Sequence, residues 1–256
     1  MKRDKLILGC GIGRCGTGWL SFFMFLNPEI AVWDGPGMGQ LFQHTAGKTG
    51  LPPRDLHTVW GNDFQAPTHA SKNGMGEWDG FHDFMPYYGK RIRQRTNSSA
   101  YFISHVQGEQ WFDAYVDHFD CDMICVYCGR EIISHYRSFK RWYYADGFAP
   151  GEFVERLRGS MHHMQKIMER DIPVVAINVP DYTVKKCAAK AAAMMKRIGI
   201  DLSPEQKLFL KKRRKLGPAP TPPKETNAEL LSELQTVPDF EDVKASYDAF
   251  RRKHEA

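Results

Sequence analysis

The feature that most constrains the fold is a glycine-rich segment placed between two apolar runs near the start of the chain. Residues 5–9 are mostly apolar and stop at glycines, which is typical of a short buried strand. Residues 11–18 contain four glycines, and residues 19–26 are apolar on nearly every side, as in a helix buried against a sheet. Residues 30–33 form a second short apolar run. This order of strand, loop, helix and strand predicts a βαβ unit with parallel strands.

The rest of the chain continues the alternation of apolar runs of strand length with amphipathic stretches of helical length. This alternation predicts an α/β fold, with a mostly parallel sheet flanked by helices on both faces. We expect further strands at residues 100–105, 123–128 and 173–179, and helices at residues 109–119, 132–144, 152–170 and 184–198.

The domain organisation follows from where this alternation stops. We expect one α/β domain over residues 1–217, followed at residues 218–256 by a proline-rich linker and a helical C-terminal tail. The tail contains two helical stretches, residues 227–235 and 240–254. Residues 35–97 are dense in Gly, Pro, His and aromatic residues, and a structureless loop of that length is unusual in a compact domain. We therefore expect short helices there, in an irregular insertion that faces the substrate.

Charge and hydropathy exclude several functional classes. The formal net charge is +5, with 35 Lys and Arg against 30 Asp and Glu. This mild excess suits one anion-binding pocket, whereas a nucleic-acid-binding protein would need a basic stripe. The two short basic runs, residues 91–95 and 211–215, are not interleaved with the aromatic residues of a single-strand groove. No apolar stretch approaches the length of a membrane span. We therefore expect no nucleic-acid partner and no transmembrane segment.

Cysteine usage points to a cytoplasmic protein with reduced thiols. Cys125 and Cys128 have the C-x-x-C spacing of a metal or redox pair. They fall on a predicted strand, however, where side chains alternate, so the two thiols should face opposite sides of the sheet. No other set of His, Cys, Asp or Glu residues has convincing zinc spacing, and we predict no metal site. Buried, reduced cysteines are the expected state.

The glycine-rich loop fits a dinucleotide-binding fingerprint. Gly11, Gly13 and Gly16 match the pattern G-x-G-x-x-G, and Asp34 closes the second strand 18 residues after Gly16. Glycines let the backbone approach a phosphate, and the following helix N-terminus supplies N–H groups and positive dipole. This pattern predicts an NAD(P)-binding oxidoreductase. A Walker A loop is excluded, because no Lys-Ser/Thr follows the last glycine.

The same loop resembles a second kind of phosphate site. Residues 13–20, Gly-Arg-Cys-Gly-Thr-Gly-Trp-Leu, are similar to the donor loop of sulfotransferases that use 3′-phosphoadenosine 5′-phosphosulfate (PAPS), a basic residue followed by Ser-Gly-Thr-Thr-Trp-Leu. Residues 26–30, Leu-Asn-Pro-Glu-Ile, look like the end of the first helix in bacterial members. Cys15 replaces the serine and Gly18 replaces the second threonine, so one hydroxyl ligand is missing while the backbone N–H groups remain. The resemblance implies donor-binding residues at Arg14, Cys15, Gly16, Thr17, Gly18 and Trp19.

A second segment resembles the element of the same family that binds the 3′-phosphate. Arg130 comes two residues after the predicted strand at residues 123–128, and Ser138 follows eight residues later on a predicted helix. The family has an arginine and a serine at this spacing, and arginine suits the role because its planar fork makes charge-assisted bonds to phosphate oxygens. The usual Asn-Pro or Asp-Pro after the arginine is absent, and Glu131-Ile132 stands there instead. The start of the helix is therefore undefined by the sequence.

The resemblance, which spans residues 6–200 except for residues 35–97, also implies candidate catalytic residues. Arg14 corresponds to the basic loop residue that stabilises the bridging oxygen during sulfuryl transfer. His105 ends a predicted strand and corresponds to the family's histidine base, although Ile103 replaces the lysine of the family's Lys-Thr-His segment. Glu109 is the alternative base.

Three functional hypotheses remain open at this point. The resemblance implies a P-loop-like sulfotransferase fold and a PAPS-dependent enzyme that needs no metal and acts on a hydroxyl or amine of a small-molecule or glycan acceptor. The alternatives are an NAD(P)-binding oxidoreductase and a non-catalytic nucleotide-binding protein. Because every candidate phosphate-binding residue precedes residue 218, we expect the tail to be dispensable for donor binding.

Overall fold

The structure is a computed structural model that describes residues 4–13, 15–33, 100–103, 121–143, 149–178, 187–212 and 225–255. The strands in these residues are β1 (Lys5–Cys10), β2 (Ile30–Trp33), β3 (Ala100–Ile103), β4 (Asp122–Gly129) and β5 (Val174–Asn178). The helices are α1 (Thr17–Phe25), α2 (Ile132–Tyr143), α3 (Pro150–Glu169), α4 (Cys187–Ile198), α5 (Pro204–Lys212), α6 (Asn227–Gln235) and α7 (Phe240–His254).

The five strands form one parallel sheet, in the order β2-β3-β1-β4-β5. Strand β1 lies in the centre, with Leu8 beside Ile103 of β3 and Cys10 beside Tyr127 of β4. The carboxyl ends of β1 and β4 therefore meet at one edge of the sheet. The prediction of a parallel α/β fold is confirmed.

Helices cover both faces of the sheet, as the sequence predicts. One face packs against α2, α3, α6 and α7, and the other packs against α1, α4 and α5. Strand β4 shows the alternation directly, because Cys125 belongs to the first core and Cys128 belongs to the second. The two thiols thus face opposite sides of the sheet, as predicted, and both are free.

The two C-terminal helices have the predicted bounds and belong to the core that also contains α2 and α3. Leu230 and Leu234 of α6 and Phe240 and Tyr247 of α7 are all at most 1% exposed, in the same apolar cluster as α2 and α3. Each such burial stabilises the fold by about 1.5–3 kcal/mol. In the described residues, α6 and α7 thus pack in the same apolar cluster as α2 and α3, and the domain boundary at residue 217 stays a prediction.

A buried polar network fixes the end of α1. The side-chain amide of Asn27 donates to the carbonyl of Asp201 at 2.9 Å and to Oε1 of Gln206 at 3.0 Å. The hydroxyl of Ser203 donates to the carbonyl of Leu26 at 2.9 Å. These bonds hold α1 against the start of α5 and so fix the helix that the glycine-rich loop precedes.

None of the helices in the described ranges is both long enough and apolar enough to cross a bilayer.

Candidate functional site

Two glycines with positive φ turn the chain from β1 into α1. Gly11 has φ 134° and Gly16 has φ 112°, a region that side chains with a Cβ rarely adopt. Space is also restricted at Gly11, where an added Cβ would lie 2.7 Å from the carbonyl oxygen of Cys128 and 2.8 Å from Sγ of Cys15. The loop is therefore packed tightly against the end of β4, and glycine is required at both positions.

The N-terminus of α1 is open to an anion. Gly16 occupies the N-cap position with no side-chain cap, and the first turn carries no acidic residue. Helical bonding begins with the N–H of Trp19, which donates to Gly16 O at 3.0 Å, so the N–H groups of Thr17 and Gly18 have no intrahelical acceptor. A Cβ added at Gly18 would meet nothing within 4 Å. These backbone groups and the helix dipole favour a bound phosphate.

The side chains of the loop face inward and leave the outer side to the backbone. Cys15 is 1% exposed and is packed against Gly11, and Thr17 is buried as well. Trp19 is 6% exposed, and its ring stacks on Phe23 with centroids 5.0 Å apart. Among the predicted loop residues in the described ranges, Gly16 and Gly18 are partly exposed, whereas Cys15, Thr17 and Trp19 are buried.

Arg130 follows β4 directly, on the edge of the sheet where the loop leaves β1, and its backbone is held by α7. The N–H of Arg130 donates to the hydroxyl of Tyr247 at 2.9 Å, and the same hydroxyl donates to the carbonyl of Arg130 at 2.9 Å. Nη1 of Arg251 donates to that carbonyl as well, at 3.2 Å. The C-terminal helix therefore contacts the candidate 3′-phosphate element, which weighs against the expectation that the tail is dispensable for donor binding.

Helix α2 carries the rest of this element, and Glu131 caps its start. The Glu131 carboxylate accepts hydrogen bonds from the N–H groups of Ile133 at 2.9 Å and Ser134 at 2.7 Å. Burial opposes the charged form, but these bonds and the charge of Arg251 outweigh it, and the pKa of Glu131 is lowered. An acidic residue thus defines the helix start where the family's Asn-Pro is absent. Ser138 is half-buried in the second turn of α2.

A hydrogen bond joins α2 to the glycine-rich loop. Nε2 of His135 lies 2.8 Å from the carbonyl oxygen of Gly13. Burial, together with the charges of Arg130 and Arg251, lowers the pKa of His135 to about 4, so the ring is neutral at pH 7. Because a carbonyl can only accept, the single proton of the neutral ring is on Nε2.

The edge formed by β4, α2 and α7 carries both arginines and carboxylates. The side chain of Arg251 lies against the end of β4, since a Cβ added at Gly129 would be 2.8 Å from its Nε. A cavity of about 260 Å³ lies beside the end of β5, and its lining includes Asn178, Arg251 and Arg252 together with Asp248 and Glu255. Asp248 balances part of this charge, 3.7 Å from Arg251. Guanidinium groups at a strand edge beside a glycine-rich loop suit a ligand with more than one anionic group.

Three residues of this site are absent from the predicted set. His135 falls in the helix predicted at residues 132–144 and is not among the candidate site residues, while Tyr247 and Arg251 fall in the expected tail. The apolar residues Phe240, Val243 and Tyr247 recur at helical spacing and signal a buried face on α7, although not what it contacts. The basic last turn of the same helix is a second signal.

Several predicted residues lie outside the described residues, namely Arg14, Asp34, His105 and Glu109. Their roles stay predictions. In the ranges that are described, no group of three or more His, Cys, Asp or Glu side chains could hold a metal ion.

Comparison with solved structures finds the fold in another protein. The sulfotransferase domain from the Synechococcus PCC 7002 olefin synthase is similar to this chain with a TM-score of 0.55 and 13% sequence identity. The match covers 97% of this chain and 95% of that chain. No protein-family model matches the chain, and no curated protein matches it. The chain therefore has the fold of a sulfotransferase domain.

Proposed function

We propose that the chain is a PAPS-dependent sulfotransferase that moves a sulfuryl group to a hydroxyl or amine of a small-molecule or glycan acceptor. The observation that carries the proposal is that two candidate anion-binding elements lie on one edge of the sheet. The glycine-rich loop follows β1, and Arg130 follows the neighbouring strand β4. A donor with phosphates at both ends needs two such elements close together. The likeness to a sulfotransferase domain supports the same assignment.

The roles of the residues follow from the chemistry of sulfuryl transfer. The backbone of Gly16, Thr17 and Gly18 would hold the phosphate on the 5′ side, and Arg130 with Ser138 would hold the 3′-phosphate.

The transfer step places two further residues in proposed roles. The acceptor oxygen or nitrogen forms a bond to sulfur as the bond from sulfur to the bridging phosphate oxygen breaks. Arg14 would stabilise the charge on that oxygen, and His105, or else Glu109, would take the acceptor proton. The product 3′-phosphoadenosine 5′-phosphate (PAP) then leaves.

The strand order weighs against the NAD(P)-binding alternative. In the dinucleotide fold β2 lies next to β1, so that an acidic residue at its end reaches the ribose beside the loop. Here β3 lies between β1 and β2, with Leu6 paired to Tyr101 and Tyr101 paired to Ala31. The end of β2, which precedes Asp34, is thus one strand farther from Gly11, Gly13 and Gly16 than that role requires.

A thermal-shift experiment separates the alternatives. A ligand at 100 times its Kd adds about 2.7 kcal/mol to the free energy of unfolding. For a chain of this size that corresponds to a rise in Tm of roughly 5–10 °C. We expect this rise with PAP and no rise with NAD or NADP. A rise with NAD alone would contradict the proposal, and PAP binding without consumption of PAPS in the presence of hydroxyl and amine acceptors would indicate the non-catalytic alternative.

The role of Arg130 is tested by substitution. Arg130→Ala should weaken PAP binding by about 1.5–3 kcal/mol, the range for a hydrogen bond to a charged group. Binding of adenosine 5′-phosphosulfate, which lacks the 3′-phosphate, should hardly change. Arg158→Ala is the matched control, because Arg158 pairs with Glu155 on the exposed side of α3. Equal losses for both nucleotides in Arg130→Ala would remove this residue from the 3′-phosphate site.

A further inference from the structure

We propose that His135 is a positioning residue that fixes the spacing between the two anion-binding elements. This inference rests on the proposed function. Helix α2 begins two residues after Arg130 and carries both His135 and Ser138. The bond from Nε2 of His135 to the carbonyl of Gly13 therefore joins the 3′-phosphate element to the loop that binds the 5′ side.

The surroundings of His135 make it a rigid connection. The side chain is 0% exposed, and its ring packs edge-on against Phe153 at 5.3 Å and Phe139 at 6.4 Å between centroids. The conformational entropy of the His135 side chain is therefore lost when the protein folds, and no further entropy of this side chain is lost when a ligand binds. Because its pKa is near 4, the ring stays neutral and keeps the same proton on Nε2 through the physiological pH range.

A fixed spacing matters only for a ligand that contacts both elements. PAP carries phosphates at its 5′ and 3′ ends. Once one phosphate is bound, the other can bind only if the two elements are held as far apart as the two phosphates are. A nucleotide with only the 5′-phosphate, such as AMP, gains nothing from that distance. Loss of the connection should therefore weaken PAP binding more than AMP binding.

The test compares the ratio of the Kd of AMP to the Kd of PAP in the wild type and in three variants of one side chain. In His135→Gln the amide nitrogen can reach the position of Nε2, whereas in His135→Asn it reaches only the position of Nδ1, and His135→Leu has no donor. We expect the ratio to fall about tenfold in His135→Asn and His135→Leu and to be largely restored in His135→Gln. His162→Gln, which changes an exposed histidine of α3, should leave the ratio unchanged.

Each outcome bears on the inference. If His135→Leu does not fold, the Gln and Asn variants still make the comparison, because the ratio is measured on folded protein below each variant's Tm. An unchanged ratio in His135→Asn, or a His135→Gln variant no better than His135→Asn, would overturn the positioning role. If the wild type binds PAP no more tightly than AMP, the proposed function itself fails, whatever the variants show.

Discussion

Tyr247→Phe removes a single oxygen atom and should affect both stability and ligand binding. The ring is kept, and with it the edge contact to Tyr127 at 6.3 Å and the contact with the Arg251 guanidinium at 5.4 Å between centres. What is lost is the hydroxyl that bonds both the N–H and the carbonyl of Arg130. Burial raises the pKa of Tyr247, so this hydroxyl stays protonated and can donate and accept at neutral pH.

The cost of Tyr247→Phe can be worked out from these contacts. Arg251 still donates to the carbonyl of Arg130, so the main loss is the partner of the Arg130 N–H. A buried donor left without a partner costs about 1–3 kcal/mol. We expect a loss of about 2 kcal/mol in the free energy of unfolding, or a Tm lower by roughly 4–8 °C in a thermal melt. Because the Arg130 backbone is then less fixed, calorimetry should show PAP binding weakened several-fold, with AMP binding unchanged.

Tyr136→Phe is the matched control for this experiment. Tyr136 is also buried, and its hydroxyl donates to Glu233 at 2.9 Å on α6. That carboxylate keeps its ion pair with Lys140 at 2.7 Å, so the loss of stability should be smaller and PAP binding should not change. If Tyr247→Phe lowers the Tm no more than Tyr136→Phe does and leaves PAP binding intact, α7 does not hold the Arg130 element in place.

Two further predictions concern the N-termini of α1 and α2. Gly18→Thr should raise PAP affinity a few-fold in a binding titration, because a Cβ there meets nothing within 4 Å and, in the proposed binding mode, the new hydroxyl would bond the phosphate. An unchanged Kd in a folded variant would contradict phosphate binding at this loop. Glu131→Ala should lower the free energy of unfolding by about 1 kcal/mol at pH 7, the usual contribution of a helix cap. The pKa of Glu131 is lowered from its ordinary value of 4.5, so the stabilisation by the charged carboxylate is present above pH 4.5 and is lost as the pH falls through the folded-state pKa. The Tm difference between Glu131→Ala and the wild type should therefore shrink in acid. A Tm difference that does not depend on pH would exclude the cap.

Local patterns predicted much of this structure because they depend on neighbours in sequence. The helices at residues 227–235 and 240–254 were predicted with the bounds that the structure shows, and the strand before Arg130 differs by one residue at each end. The opposite orientation of Cys125 and Cys128 also follows from strand alternation alone. Such features require only periodicity and helix-ending residues.

The contacts that complete the site depend on residues far apart in the chain. Tyr247 bonds the backbone of Arg130 across 117 residues, and His135 bonds the backbone of Gly13 across 122. A side chain that bonds a backbone group places no demand on the identity of the distant residue, so no motif records it. The prolines between residues 218 and 223 likewise predict an extended segment without saying where the next helix packs. Composition therefore predicts the two helices after the prolines but not that their apolar faces pack against α2 and α3.

Under the proposed function, we expect the departures of the loop from the pattern of PAPS-dependent sulfotransferases to shift the binding energy of the donor toward its 3′-phosphate. Cys15 is buried in the core, and position 18 is a glycine. The loop therefore offers a phosphate the backbone N–H groups and the helix dipole, but few hydroxyl groups. The edge at β4 carries two arginine residues, because Arg251 of α7 lies beside Arg130. A charge-assisted bond is about twice as strong as a neutral one. Under the proposed function, the 3′-phosphate should therefore contribute the larger share of donor affinity, and we expect the C-terminal helices, which bond the backbone of Arg130, to take part in donor recognition.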